Sequence, residues 1–234
     1  MPELELVSTY DPAEVASAMA TRQAGLSDAA RRLHQAILTR FLDTGGPPDQ
    51  TWLQRQAEAL GLDPRPACAE LATADLAHLD EAGRVSVAYP FSGVPRGHRV
   101  QLADGPSVCA MCAIDALGIP QMTDRDATIT ATDPHTGEPV RIEVSAGRWQ
   151  WTPRSTVVLV AQADTGDAAA LCACPHVNFY TSPAHAQAYL ANHPELTGKL
   201  LLGQDAAIEY AGAVFGALLH PATDNAEHRT TTAP

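Results

Sequence analysis

Apolar residues in the first third of the chain recur at helical spacing. Between Ser27 and Gly45 they fall on one face of a helix, with Ser27 as a suitable N-cap and Gly-Gly-Pro-Pro as the stop. The positions that form this face are Leu33, Ile37, Leu38, Phe41 and Leu42. Similar spacing predicts helices over residues 12–24, 49–61 and 64–79, after a strand-like or mobile lead-in at residues 1–10.

An alternating pattern follows these helices. Residues 80–83 indicate a turn, and residues 84–89 alternate between apolar and polar as a strand does. Three helices closed by a hairpin are typical of a winged helix. We therefore predict a helical winged-helix-like module over residues 1–90, ending in a Pro/Gly/Ser linker at residues 90–95.

Beyond the linker the pattern becomes mixed. Residues 107–120 predict a short helix, and the apolar run at 156–161 predicts a strand inside a sheet. The other expected elements are strands at 98–102, 127–132, 139–144 and 177–180 and helices at 183–192 and 204–220. The fold class is thus α+β, with a mixed or antiparallel sheet domain flanked by helices over residues 91–220. Residues 221–234 are polar and are expected to be a disordered tail.

Composition and charge argue against two classes of protein, those that bind nucleic acids non-specifically and those that span a membrane. The net charge of −12 over 234 residues argues against non-specific nucleic-acid binding. The predicted helix at 64–79 carries Asp63, Arg65, Glu70 and Asp75 on or beside it, whereas a recognition helix should be positive. No apolar run reaches the roughly 18 to 20 residues of a membrane span, and the first residues are acidic where a signal peptide is basic. We expect a cytoplasmic protein.

The cysteines are the strongest chemical signal. Four of the five form two close pairs, Cys109/Cys112 and Cys172/Cys174, and thiolates select soft metal ions. Cys109 and Cys172 could equally be small buried hydrophobic residues. Cys68 falls on a helical core face, where we expect it to pack.

Asp115 distinguishes among the possible kinds of site. If its segment is helical, Cys109, Cys112 and Asp115 lie at positions i, i+3 and i+6, so that Cys112 and Asp115 are neighbours on adjacent turns. A carboxyl group buried beside a thiolate should have a raised pKa, through desolvation and like charge. Such a group can hold and deliver a proton near neutral pH.

Two further features stay open. His176 follows Cys174 closely and is either a metal ligand, a group that orients a thiolate, or a hydrogen-bonding residue at a strand end. Trp149 and Trp151 alternate on a strand-like segment and indicate core or pocket wall.

Three motifs together resemble the organomercurial (alkylmercury) lyase family. They are Cys112-Ala-Ile-Asp115-Ala-Leu-Gly-Ile-Pro120, Thr136-Gly-Glu-Pro-Val140 and Cys174-Pro-His-Val-Asn-Phe-Tyr-Thr-Ser182. The resemblance covers roughly residues 80–220, and the helical N-terminal module also fits the family.

The resemblance implies protonolytic cleavage of a carbon–mercury bond, which converts R-Hg⁺ to a hydrocarbon and Hg(II). By the same resemblance, the catalytic residues are Cys112, Asp115 and Cys174, with the two thiolates binding mercury and the aspartate relaying a proton. Asp115, Cys109 and Cys172 are further candidate metal ligands. If Cys112 lies near the N-terminus of its helix, the helix dipole would favour its thiolate.

The expected partners also follow from the resemblance. The substrate is a small organomercurial, the enzyme needs no cofactor, and small cytosolic thiols remove the mercury product. A mercuric reductase is a further expected partner, and neither a nucleic acid nor a membrane is expected. Monomer and dimer both stay open.

The sequence departs from the family pattern at several positions. An aromatic residue commonly precedes the first cysteine, where Met111 stands, and Cys109 replaces a residue that is usually not cysteine. The second motif has Cys172-Ala-Cys174 instead of adjacent cysteines, and a structural cysteine expected near Asp133 is missing. These changes bear on substrate range and on transfer of mercury away from the site.

Two alternatives remain at this stage. In the first, Cys109, Cys112, Cys172 and Cys174 form a four-sulfur site in a metal-binding or metal-sensing protein that could be linked to DNA through the N-terminal module. In the second, the chain is a lyase-fold paralogue that acts on another small molecule.

Overall fold

The computed structural model describes residues 5–7, 10 and 19–219 of the chain. The helices are α1 (Met19–Ala24), α2 (Asp28–Thr44), α3 (Gln50–Ala59), α4 (Pro64–Thr73), α5 (Ala113–Thr123), α6 (Ala169–Cys172), α7 (Pro183–Asn192) and α8 (Gln204–Phe215). The strands are β1 (Leu6–Val7), β2 (Ala77–Leu79), β3 (Val85–Ala88), β4 (Phe91–Ser92), β5 (His98–Leu102), β6 (Ser107–Ala110), β7 (Ala127–Thr132), β8 (Pro139–Ser145), β9 (Arg148–Thr152), β10 (Val157–Gln162), β11 (Asn178–Tyr180) and β12 (Thr197–Leu202).

The strands form two sheets. An eight-stranded sheet has the order β2-β3-β4-β6-β5-β7-β8-β9, and every neighbouring pair in it is antiparallel. A four-stranded sheet has the order β1-β12-β10-β11, with β1 parallel to β12. The apolar strand β10 is inside its sheet, as predicted. These sheets and their flanking helices confirm the α+β class.

The best predicted helix is α2. The Ser27 side chain accepts a hydrogen bond from the Ala30 N–H, and Gly45 ends the helix in the left-handed conformation at φ 78°. A side chain at Gly45 would also place its Cβ 2.8 Å from the Ser107 carbonyl oxygen. The predicted apolar face is buried in the core.

The predicted helix over residues 64–79 is too long. It ends at Thr73 because Asp75 turns left-handed at φ 49°, and the N–H of Leu76 then donates to the carbonyl of Leu71. This Schellman closure redirects the chain into β2. No glycine marks this turn in the sequence. The helical spacing of apolar residues continues past it, and the predicted helix is therefore too long.

The predicted linker at residues 90–95 is also wrong, because part of it is a strand. Strand β4 pairs with β3 on one side and with β6 on the other. Phe91 is fully buried and stacks on Phe41, with 5.0 Å between ring centroids. The division of the chain at residue 90 into two domains remains a prediction.

Residues 107–120 are not one helix. Residues Ser107–Ala110 form β6, where Cys109 pairs with Arg99, and α5 begins only after Cys112. The expected i, i+3, i+6 arrangement is therefore wrong for Cys109 and correct for Cys112 and Asp115. Alternating burial along β6 provides the physical reason, since strand pairing overrides the short helical spacing.

Several smaller outcomes concern element ends. The predicted helix at 12–24 is observed over Met19–Ala24, and its residues 12–18 lie outside the described residues. The last helix stops at Phe215 instead of residue 220, and the predicted tail at 221–234 also lies outside the described residues. Strand β12 was not predicted. No helix among the described residues is long and apolar enough to cross a membrane.

Helix α5 lies at the centre of the core. It contacts α8 and strands of both sheets, and nearly every residue along it is buried. A helix that is apolar on all sides is stable only when other elements surround it. A Cβ atom at Gly118 would lie 2.4 Å from Cδ2 of Phe215 in α8, so glycine permits this close helix contact. The packing fixes the start of α5, where the candidate site lies.

Candidate active site

Two chain segments bring the candidate thiols together. Cys112 is the N-cap of α5, and Cys174 begins a short 3-10 turn that follows α6. The N–H of Ala113 donates to the carbonyl of Val177 at 3.1 Å, which joins the start of α5 to the segment just after Cys174. The two segments are thus tied together through their backbones.

The predicted catalytic residues form one cluster. The Sγ atoms of Cys112 and Cys174 and a carboxyl oxygen of Asp115 all lie within 4.8 Å of one another. The three residues are 4%, 6% and 3% exposed. The thiol of Cys112 donates to Oδ2 of Asp115 at 2.6 Å. Two thiols and a carboxyl group therefore share one buried site.

Burial controls the protonation of this cluster. It raises the pKa of Asp115 well above its usual range, and the neighbouring Cys112 charge and thiol hydrogen bond raise it further. The pKa of Cys112 is also raised well above normal, first by burial and then by the hydrogen bond and charge of Cys174. Although Cys112 lies at a helix N-terminus as expected, burial outweighs the dipole that would favour its thiolate. Burial thus favours the uncharged forms of Cys112 and Asp115.

One of the two carboxyl oxygens of Asp115 lacks a hydrogen-bond partner among the described residues. Oδ1 of Asp115 is buried and has no hydrogen-bond partner among the described residues, whereas Oδ2 accepts from Cys112. A buried polar atom without a partner is costly, which adds to the cost of ionising this carboxyl group. The free oxygen is suited to face a group that arrives with a ligand.

A pocket of about 730 Å³ gives access to the cluster. The two thiols and Asp115 line it together with Cys172. Apolar wall residues include Ile114, Val160 and Phe215, and polar wall residues include Arg22, Asp75 and Tyr89. The pocket is large enough for a small organic molecule.

The other two paired cysteines do not join the cluster. Cys109 is half-buried on β6. Cys172 lies at the end of α6, where its thiol donates to the Asp167 carbonyl at 3.3 Å. All five cysteines are described and free, and the only thiols that share a ligand cluster are Cys112 and Cys174. The predicted four-sulfur site is therefore wrong, because β6 carries Cys109 away from the helix start.

The structure shows where the residues lie whose roles the sequence left open. Nδ1 of His176 lies 2.9 Å from the Tyr189 hydroxyl and outside the cluster, which matches the hydrogen-bonding reading. Trp151 is buried with its ring 5.7 Å from that of Phe179, so it belongs to the core as expected. Cys68 is half-buried against the core and packs there.

The sequence did not predict a second polar cluster formed by Asp133, Glu138 and His185. Burial alone would raise the pKa of Asp133, but hydrogen bonds from the Thr181 N–H and from His185 hold it below the usual value. Oδ2 of Asp133 lies 2.8 Å from both the Thr181 nitrogen and Nδ1 of His185. This network ties the β7–β8 turn to the end of β11. The Thr-Ser-Pro sequence after β11 was the only signal for it.

Comparison with known proteins gives a consistent result. The sequence model of the alkylmercury lyase family matches residues 91–216. An alkylmercury lyase of Staphylococcus epidermidis is 36% identical over 126 residues, which are 53% of this chain and 57% of that protein. One of Streptomyces lividans is 27% identical over 188 residues, which are 72% of this chain and 85% of that protein. The chain thus spans little more than half the length of the first of these relatives.

A solved structure has the same fold. The crystal structure of the mercury-bound form of MerB2 superposes with a TM-score of 0.72 at 21% sequence identity, over 88% of this chain and 99% of that one. The family match contains Cys112, Asp115 and Cys174 and covers more than half of the chain. On this basis, the chain belongs to the alkylmercury lyase family.

Proposed function

We propose that this protein is an organomercurial lyase that cleaves the carbon–mercury bond of R-Hg⁺ by protonolysis. The observation that carries the proposal is the buried cluster of Cys112, Asp115 and Cys174 at the pocket. Two thiolates suit a soft metal ion, and an acid within reach of them suits a carbon leaving group. The named relatives support the same assignment.

The reaction balances without an external oxidant or reductant. The two thiols replace the external ligand of R-Hg-X and coordinate mercury as thiolates, releasing two protons. One proton leaves with X, and the other passes through Asp115 to the carbon atom. The electron pair of the carbon–mercury bond becomes the new carbon–hydrogen bond. The products are R-H and Hg(II) held by Cys112 and Cys174.

The geometry supports metal binding by the two thiols and proton transfer by Asp115. Asp115 contacts the Cys112 thiol at 2.6 Å, so the proton released on metal binding has a short path to the carboxylate. Because the pKa of Asp115 is raised, the group retains that proton until carbon accepts it. Burial also keeps water from competing as the proton source.

Small thiols complete the proposed cycle. The bis-thiolate product is stable, so an external thiol or a mercuric reductase must take Hg(II) from the two cysteines before another turnover. No resident cofactor is needed in this scheme. All five cysteines are free, which suits the reducing conditions of the cytoplasm, the compartment that we propose.

The N-terminal module has a role at the pocket in this proposal. We assign α2, α3, α4 and the β2–β3 hairpin to a winged-helix-like module over residues 1–90, followed by the lyase-type domain over residues 91–220. Arg22 and Asp75 from the module line the pocket, which favours a role as pocket wall over nucleic-acid binding.

The test is release of hydrocarbon from methyl- or phenylmercury by the purified protein in the presence of excess small thiol. Gas chromatography should detect methane or benzene over many turnovers. Cys112→Ser and Cys174→Ser should each abolish turnover, and Asp115→Asn should reduce it by about 10²- to 10⁴-fold. Cys109→Ser should retain turnover because Cys109 is outside the cluster. A wild-type protein that releases no hydrocarbon would refute the proposal.

A further inference from the structure

Helix α6 (Ala169–Cys172) begins without a cap of its own. Its N-cap residue is Ala168, which has no side chain able to accept a hydrogen bond from the first helical N–H groups. Such groups normally need an acceptor, since an unpaired donor at a buried helix end is costly. The acceptors here come from a distant part of the chain.

Asp75 and Tyr89 supply these acceptors. Oδ2 of Asp75 accepts from the Ala169 N–H at 3.2 Å, and the Tyr89 hydroxyl oxygen accepts from the Ala170 N–H at 2.6 Å. The Tyr89 hydroxyl in turn lies 3.3 Å from Oδ1 of Asp75, to which it donates. Two residues about 80 to 95 positions earlier therefore act together as the cap of α6.

The pair is itself held firmly. Asp75 also accepts from Nη1 of Arg22 at 2.7 Å and lies 2.7 Å from Nε2 of His78. Burial tends to raise the pKa of Asp75, but the hydrogen bonds from His78, Ala169 and Arg22 hold it below the usual value. Tyr89 is fully buried, and its backbone N–H donates to the Leu76 carbonyl at 3.1 Å. The acceptor atoms thus have little freedom to move.

The helix that this cap starts leads directly to the second thiol, Cys174. The hydrogen bond from Ala173 N–H to the Ala169 carbonyl carries α6 to within one residue of Cys174. Tyr89 also lines the pocket, and the charges of Cys174, Asp75 and Asp115 contribute to the raised pKa of its hydroxyl after the larger effect of burial. A shift in α6 would therefore move Cys174 relative to Cys112.

We propose that Asp75 and Tyr89 are positioning residues that hold Cys174 at mercury-binding distance from Cys112. The catalytic consequence of this inference rests on the proposed lyase function. The positioning itself does not, because the place and mobility of Cys174 can be measured without turnover.

The experiment compares Tyr89→Phe and Asp75→Asn with Tyr180→Phe in the full chain. Tyr180 is the matched control, because it is also fully buried and its hydroxyl has no hydrogen-bond partner among the described residues. Amide hydrogen exchange measured by mass spectrometry should rise in peptides over residues 169–176 in the first two variants and stay at the wild-type level in the control. Iodoacetamide should alkylate Cys174 faster in the same two variants, with the modified residue assigned by peptide fragmentation.

Activity supplies the third readout. A misplacement of about 1 Å costs up to about 100-fold in rate, so hydrocarbon release by Tyr89→Phe should fall between about tenfold and about 100-fold in kcat. If exchange rises uniformly along the chain, or if residues 169–176 and Cys174 behave as in Tyr180→Phe, the positioning role is refuted. Absence of hydrocarbon from the wild type would refute the lyase function and leave the exchange and alkylation results to decide the positioning.

Discussion

The Sγ atom of Cys112 lies 2.6 Å from Oδ2 of Asp115, across the first turn of α5. The relationship follows from helix geometry, since Cys112 is the N-cap and Asp115 is the third residue of the helix. An N-cap side chain and the side chain three residues later face each other, as in a capping box. Here that arrangement joins a buried thiol to a buried carboxyl group.

The first prediction concerns Asp115→Asn and the chemical step. The amide has nearly the same shape as the carboxyl group but cannot relay a proton. Turnover of phenylmercury should fall by about 10²- to 10⁴-fold, the usual contribution of a general acid. Binding of Hg(II) should persist, because both thiols remain. Hydrocarbon release and mercury content, measured on the same sample, separate the two effects.

The second prediction concerns thermal stability. Replacing Asp115 and replacing Asp133 should shift the Tm at pH 7 in opposite directions. The folded pKa of Asp115 is raised, so its ionisation costs stability as the pH rises above about 4, the unfolded value. Asp115→Asn should therefore raise the Tm at pH 7. The folded pKa of Asp133 is lowered, so its carboxylate stabilises the fold at pH 7 and Asp133→Asn should lower the Tm. Calorimetry at pH 7 checks both signs, and a drop in both variants would contradict the account.

The third prediction concerns acid sensitivity through His34 and His98. Both are almost fully buried, and burial lowers the pKa of each to about 4. Because the unfolded state takes up these protons near pH 6.5, stability should be lost as the pH falls from about 6.5 to about 4. Each histidine contributes up to about 3 kcal/mol of this loss.

Urea unfolding between pH 7 and pH 4 measures this effect. His98→Leu should reduce the slope by up to about 1.4 kcal/mol per pH unit, since one proton is no longer bound on unfolding. An unchanged slope in His98→Leu would show that this residue does not titrate as argued.

The fourth prediction concerns the close contact of α5 with α8. Gly118→Ala would place a methyl group 2.4 Å from Cδ2 of Phe215, so the helices would have to separate. Overpacking of this kind costs about 1 to 3 kcal/mol of unfolding free energy, against a gain of up to about 1 kcal/mol in helix propensity. The urea midpoint should fall. Gly46→Ala, where nothing lies within 4 Å of the new methyl group, should leave it nearly unchanged.

Spacing alone placed Cys112 and Asp115 as neighbours, and the resemblance to the alkylmercury lyase family added Cys174. The structure brings these three residues together, whereas parts of the path of the chain were not predicted. The sequence pattern predicted neither the strand that contains Cys109 nor the end of α4 at Thr73. Both depend on partners elsewhere, namely pairing of Cys109 with Arg99 and the left-handed turn at Asp75. Local spacing does not contain such tertiary information.

The same limit explains why the role of Tyr89 could not be predicted. In the sequence Tyr89 is the last residue of an alternating segment, and nothing indicates that its hydroxyl accepts a hydrogen bond from a distant helix. Its hydroxyl gains a role only because the fold brings Ala170 to within 2.6 Å of it.

The most direct test of the central claim is a single turnover without added thiol. One equivalent of phenylmercury is mixed with the purified protein, and benzene, retained mercury and remaining free thiols are measured together. The account predicts one benzene released per chain, one Hg(II) retained, and loss of two titratable thiols, identified by peptide mapping as Cys112 and Cys174. Retention of intact phenylmercury, or equal benzene release by Asp115→Asn, would contradict it.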